Sequence, residues 1–352
     1  MFKIGLVTAV ITFAAMLAAQ VGAAPEQGNA FTVTNLVADR GSSAPTIDAS
    51  LVNGWGLSAG PTTPWWASDN GTNVSTLYDG TGKKQPLTVA VPGAPTGTVF
   101  NGSATDFVVS QNGKSGAARF LFATEAGKIL GWSPTVNGTV ALVGANRSSK
   151  RASYKGLAIL NDRLYATDFH NNRVDVFDAA FKLVTGAGRF RDAKLPKGYA
   201  PYGIQALSGH IFVTYAKQDA ARHDDVAGPG FGYVDEFTPA GKLVARVASG
   251  GRKNAPPNAP WGLALAPSSF GPFSGDLLIG NFGNGRISAY HRRSDDLGLP
   301  RAAPTGEPQA DHDRRSLGDR VRERRRSRAD DLSVLPRRTG RRSPRALRFD
   351  HG

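Results

Sequence analysis

The chain has 352 residues, 42 Lys and Arg against 28 Asp and Glu, a formal net charge of +14 and no cysteine. The lack of cysteine excludes a disulfide scaffold and any thiolate-ligated metal. The charge would suit a nucleic-acid partner, but residues 291–352 hold 17 of the Arg, no Lys, 10 acids and one aromatic, Phe349, so half of the net charge sits in a segment too poor in large apolar side chains to build a core.

At the amino terminus Lys3 precedes an apolar run over residues 4–17 and then small residues as far as Ala23 and Ala24. That order predicts a secretory signal peptide over residues 1–24. The run is shorter than the roughly 20 residues of a membrane span. The competing reading is a buried amino-terminal helix. Export predicts a periplasmic or extracellular mature chain without a transmembrane segment.

Residues 31–290 carry a repeat. Each unit opens with an aromatic residue or Lys, then Gly, then a β-forming residue: Trp55-Gly56-Leu57, Lys155-Gly156-Leu157, Tyr202-Gly203-Ile204 and Trp261-Gly262-Leu263, with Thr96-Gly97-Thr98 a weaker copy. The glycines are 41, 59, 47 and 59 residues apart. A second apolar run follows each, ending on Asp69, Glu125, Asp168, Tyr215 or Asn281, and third and fourth runs follow tight turns. Short β-branched or aromatic runs between Gly, Asn, Asp and Pro predict antiparallel strands. Four strands per 40–60 residues is the size of a propeller blade, so the chain is predicted to be all-β, a β-propeller. The glycines are expected where inner strands crowd the axis.

Residues 165–178, from Tyr165-Ala166-Thr167-Asp168 to Val176-Phe177-Asp178, resemble an NHL repeat. Asn53-Gly54-Trp55-Gly56-Leu57-Ser58, His223-Asp224-Asp225-Val226-Ala227-Gly228-Pro229-Gly230 and Pro260-Trp261-Gly262-Leu263-Ala264 resemble an uncharacterised family of exported bacterial six-bladed propeller proteins. The resemblance implies a six-bladed NHL-like ring, of which about five blades are countable here, and it implies no reaction.

The missing blade falls in the Arg-rich segment 291–352. Arg without Lys is what GC-rich DNA yields out of frame. With third codon positions free, residues 313–318 read one nucleotide later spell Ile-Asp-Gly-Leu-Trp-Ala, and residues 343–352 likewise give an apolar, Gly-rich string. We therefore expect a frameshift near Tyr290, in the gene or in its reading, and a disordered tail. The rival is a native basic arm for nucleic acid or another anionic surface, disfavoured by its interspersed acids and its position behind an export signal.

Two groups of residues are candidates for chemistry. Asp69, Glu125, Asp168, Tyr215 and Asn281 end the second strands, so the carboxylates with Asn281 could share a rim cavity and hold Ca²⁺, or serve a metal-dependent, lactonase-like hydrolase with Asp69, Glu125 and Asp168 as metal-ligating or catalytic groups. The other reading has each carboxylate accepting backbone N–H groups in its own turn. Residues 217–232 form a long insertion bearing Asp219, His223, Asp224 and Asp225, suited to ligand binding. The Trp65-Trp66 pair offers at most one ring to a sugar, the other filling a blade interface. The favoured expectation is a monomeric binding or interaction scaffold for an extracytoplasmic protein, glycan or small ligand, with no nucleic-acid partner.

Overall fold

The computed structural model describes residues 31–41, 43–184, 189–252 and 255–290, and the short strand Arg348–Asp350. The expected signal peptide and nearly all of the Arg-rich segment lie outside the described residues.

Five antiparallel sheets follow one another along the chain as propeller blades. Their inner strands are Gly54–Ser58, Pro95–Phe100, Tyr154–Leu160, Tyr199–Leu207 and Pro260–Leu265, which define blades 1 to 5. Second strands Trp65–Asp69, Phe120–Thr124, Arg163–Asp168, His210–Lys217 and Leu277–Asn281 pair with them. Third strands follow in every blade, and fourth strands in blades 1, 2 and 4. Blade 2 also carries a hairpin, Val108–Gln111 with Lys114–Ala117. The turns into the third strands need a left-handed residue, and Asn73 (φ 59°), Asn172 (φ 52°), Gly127 (φ 72°) and Gly285 (φ 70°) supply it.

The repeated glycine sets the spacing between blades. A Cβ on Gly56 would lie 2.5 Å from the Thr96 carbonyl oxygen, one on Gly97 2.5 Å from Leu157 N, one on Gly156 2.9 Å from Ile204 N, and one on Gly203 2.0 Å from the Trp261 carbonyl oxygen. Each glycine thus admits the backbone of the next blade. Real Cβ atoms do not approach backbone so closely, so any side chain would push the blades apart.

Between blades the second strands interdigitate. Trp66 of blade 1 stacks on Phe120 of blade 2 at 4.2 Å and meets Trp132 at 4.7 Å. Leu121 of blade 2 packs with Leu157 and Leu164 of blade 3, Tyr165 of blade 3 with Ile204 and Ile211 of blade 4, and Phe212 of blade 4 with Leu277 and Ile279 of blade 5. Burying each such side chain contributes about 1.5–3 kcal/mol. Beyond blade 5, Leu278 packs in a cluster with Phe270, Phe273 and Phe31, in which Phe31 stacks on Phe270 at 4.7 Å and tilts against Phe273 at 5.8 Å. Thr32–Thr34, next to that ring, pairs with Arg348–Asp350. No helix among the described residues is long and apolar enough to cross a membrane.

Gly203→Ala should lower the unfolding free energy by about 2–4 kcal/mol, because the intruded atom is backbone. Gly138→Ala, with nothing within 4 Å of its added Cβ, should stay within about 0.5 kcal/mol in the same urea titrations.

Candidate functional site

The residue before each inner-strand glycine points to the axis: Trp55, Lys155, Tyr202 and Trp261 converge there. Trp55 lies edge-on to Trp261 at 4.9 Å and to Tyr202 at 5.9 Å, and Phe282 leans on Trp55 at 5.0 Å. Phe169 completes this aromatic plug. The fifth such residue, Thr96, instead donates its hydroxyl to the Tyr154 carbonyl at 2.9 Å.

Lys155 is the exception in an otherwise aromatic set. It is fully buried, with its Nζ 5.1 Å from the centre of the Trp55 ring and 6.0 Å from that of Phe169. A buried ammonium needs partners. Lys155 Nζ donates to Glu125 Oε1 and lies 3.5 Å from Asp224 Oδ1. Glu125 Oε2 accepts from Asn70 Nδ2 at 3.0 Å, and Asn70 is itself fixed by Asn53 at 2.8 Å. His223 Nδ1 sits 3.1 Å from Asp224 Oδ1, and the Tyr202 hydroxyl donates to Asp225 at 2.8 Å. The 217–232 insertion, the link between second and third strands of blade 4, folds over the axis and delivers these groups. Asp219 closes its inner turn, accepting the His223 N–H at 2.8 Å. Gly228 N–H donates to Asn258 at 2.8 Å and anchors its far end. A cavity of about 480 Å³ beside it is lined by Lys197, Gln218, Asp219 and Arg222 among others.

Electrostatics separate the two adjacent carboxylates. Burial works to raise Asp224, but Lys155 and then His223 outweigh it and hold Asp224 below its ordinary value. Asp225 is raised, with burial prevailing over the Tyr202 hydrogen bond and Lys155. Two carboxylates one residue apart therefore differ in readiness to ionise. The Trp55 indole N–H, enclosed at the same place, has no acceptor among the described residues.

The five strand-end candidates do not form one ring. Leu57 pairs with Ala67, Thr98 with Phe122, Leu157 with Ala166, Ile204 with Val213 and Leu263 with Ile279. In that register Thr124, rather than Glu125, matches Asp69, Asp168, Tyr215 and Asn281. Glu125 matches Asn70, and successive strand residues face opposite ways, so Glu125 alone of the five reaches the axis.

The other four serve their own blades. Asp168 accepts from Ser153 N at 3.2 Å and Asn171 Nδ2 at 2.7 Å and pairs with Arg173 at 3.3 Å. Asn281 accepts from Asn258 N at 2.9 Å and donates to Ser288 Oγ at 3.1 Å. Tyr215 is buried, and burial followed by the neighbouring Asp235 pushes its hydroxyl far above the usual range. Asp69 is fully buried beside Thr76 Oγ1 at 2.7 Å. Thr76 Oγ1 also lies 2.8 Å from the Tyr78 hydroxyl, which donates to Asp48 at 2.6 Å. Thr76 has one hydroxyl proton for two neighbours. A protonated Asp69 donating to Thr76, Thr76 to Tyr78 and Tyr78 to Asp48 satisfies all three. Burial, reinforced by the Asp48 charge against the opposing Thr76 bond, pushes Asp69 up to about 8.

The convergence of Asp69, Glu125 and Asp168 expected for a rim hydrolase is thus not formed. Among the described residues, Glu125, His223 and Asp224 place one ligand atom each within 4.8 Å of one another. They do not fit Ca²⁺. Lys155 Nζ already binds Glu125 Oε1 and lies against Asp224 Oδ1, and two carboxylates with one imidazole fall short of six to eight oxygen ligands. Lys155 itself was legible only as a break in the aromatic-Gly pattern, and Asn53 and Asn70 carried no signal of a role.

Two outcomes test this arrangement. Lys155→Met should cost about 3–5 kcal/mol, the loss expected when one partner of a buried pair is removed, and Lys155→Met with Glu125→Gln should recover part of it in a double-mutant cycle. Asp69, raised in the folded state, contributes stability that is complete below pH about 4 and lost as pH rises through about 8. Asp69→Asn, whose amide can donate to Thr76, should flatten that decline, so its advantage in urea unfolding should be larger at pH 8 than at pH 5.

No family model matches the chain. Uncharacterised protein R640 of Acanthamoeba polyphaga mimivirus is 32% identical over 200 residues, covering 56% of this chain and 37% of R640, so the chain spans little more than a third of that protein. Uncharacterised protein L690 of the same virus is 30% identical over 288 residues, covering 78% of this chain and 75% of L690. Among solved structures, a Bacteroides thetaiotaomicron protein of unknown function covers 73% of this chain and 60% of its own at 12% identity and a TM-score of 0.49. Virginiamycin B lyase of Staphylococcus aureus covers 74% and 70% at 13% identity and a TM-score of 0.44. Nothing about chemistry transfers at that level of likeness. These sequence relatives are viral, whereas the sequence motifs resemble an exported bacterial family. By the extent and identity of the L690 match, the chain belongs to the family of that uncharacterised mimivirus protein.

Proposed function

We propose that this chain is an exported binding propeller whose ligand seat is the channel mouth over Lys155, and that its ligand is hydroxyl-rich, such as a glycan. The observation that carries this reading is the combination at one place of an aromatic floor, an enclosed Trp55 N–H without an acceptor, and the exposed polar heads of His223 and Asp224. Hydroxyl groups both accept and donate, so one ligand can satisfy Trp55 and Asp224 together while a sugar face rests on aromatic rings. The engagement of Glu125 and Asp224 by Lys155 favours binding over metal-assisted hydrolysis, since the carboxylates already neutralise an internal cation.

A glycan array probed with the full chain, followed by calorimetry on the glycans retained, tests this. Trp55→Phe, which removes the N–H and keeps a ring, and His223→Ala should each weaken binding about 5–10-fold. No retained glycan, or undiminished binding by both variants, would sink the reading. Turnover of a chromogenic lactone that needs Glu125 and added Ca²⁺ would instead favour the hydrolase alternative.

A further inference from the structure

The ring has an open slot between blade 5 and blade 1. Inner strands of blades 2, 3 and 4 are buried along their first five residues, whereas those of blades 1 and 5 are largely half-exposed. Leu57 of blade 1 is 46% exposed, while Leu157 and Ile204 at the same place in blades 3 and 4 are 4% and 5%. Trp65 is also 46% exposed, and its counterparts Phe120, Leu164, Ile211 and Leu277 are at most 2%. Those counterparts pack against the preceding blade. Leu57 and Trp65 therefore form the wall of blade 1 that a preceding blade would cover. On the opposite wall, Gly262 is the one repeated inner-strand glycine whose added Cβ would meet no neighbouring blade among the described residues, its nearest atom being Gly280 Cα of its own sheet at 4.0 Å.

We propose that the slot is the seat of a sixth blade, and that this blade is encoded by the same gene in the frame one nucleotide downstream of the one that gives residues 291–352. The 62 residues there match the length of a blade, since the inner-strand glycines of neighbouring blades are 41–59 residues apart. With third codon positions free, codons 313–318 can be read in the shifted frame as Ile-Asp-Gly-Leu-Trp-Ala. Codon 315 can then encode glycine, at a step of 53 from Gly262, inside the range of the other steps. The Leu that can follow would repeat the Gly-Leu pair of blades 1, 3 and 5. In that reading an Asp would precede the glycine, at the place of Trp55, Lys155, Tyr202 and Trp261, whose side chains meet at the axis. The present frame supplies no such pattern, and its Arg-rich text sets six Leu, two Val and one Phe against 17 Arg, few large apolar side chains to cover Leu57 and Trp65.

The absence of native cysteine allows a direct test by single-cysteine labelling. In the full chain as it stands, the Leu57→Cys variant should react with a maleimide as fast as Val143→Cys on an exposed outer strand, at all protein concentrations. Deleting one nucleotide at codon 291 restores the proposed frame, and in that product labelling of the Leu57→Cys variant should fall about 100-fold, as at a site reached only by local opening. Gly262→Val should leave the melting temperature of the present chain unchanged and lower that of the restored chain. Equal labelling of the Leu57→Cys variant in both chains, indifference to Gly262→Val in both, or a restored product that does not fold would overturn the proposal. Protection of position 57 in the present chain that grows with concentration would also overturn it, assigning the slot to a second copy of this chain.

Discussion

The close approach of inner strands at glycine is the constraint on which the rest of this structure depends. Gly56, Gly97, Gly156 and Gly203 let the next blade's backbone come nearer than any side chain would allow. That approach fixes the radius of the ring, and the radius fixes what fits on the axis. Residues one step before the glycines are brought within van der Waals reach of one another, so Trp55, Tyr202 and Trp261 can close the channel from three blades. A chain without these glycines would have a wider channel and no plug.

Onto that plug the chain sets one charge. Lys155 is enclosed by aromatic rings and compensated by Glu125 of blade 2 and Asp224 of blade 4, so three blades are tied electrostatically through one ammonium. Buried pairs add little net stability but penalise every arrangement that separates them. The long insertion of blade 4 is thereby committed to one position over the axis. Its outward groups, His223 and Asp224, keep their polar heads at the surface, where a ligand can reach them.

The acidic residues that repeat along the sequence belong mainly to a different layer. Asp69, Asp168, Asp175 and Asp235 are buried, and each joins a hydroxyl or Arg of its own blade. In a sheet with polar turns, a carboxylate is an economical acceptor for several donors at once. Repetition in sequence was a signature of that structural duty. The carboxylate that reaches the centre, Glu125, breaks the repeat by one residue. A one-residue offset is hard to see in sequence, yet in a strand it reverses the face.

The sequence by itself determined the all-β class, the blade count among residues 31–290, the strand order within blades and the special status of the glycines. Those features are local: short apolar runs, turn residues able to take positive φ, and a repeated motif. It also marked the 217–232 insertion as the place to look for binding groups. Only the tertiary structure decided that Glu125 and Asp168 face different ways, that Lys155 is buried at the axis, and that Trp65 is bare while Trp66 is enclosed. These depend on register between strands and on which blade stands beside which, quantities set by contacts between residues far apart in the chain. The open wall at Leu57 belongs to the same class, because exposure there is decided by what stands beside blade 1 and not by blade 1 itself.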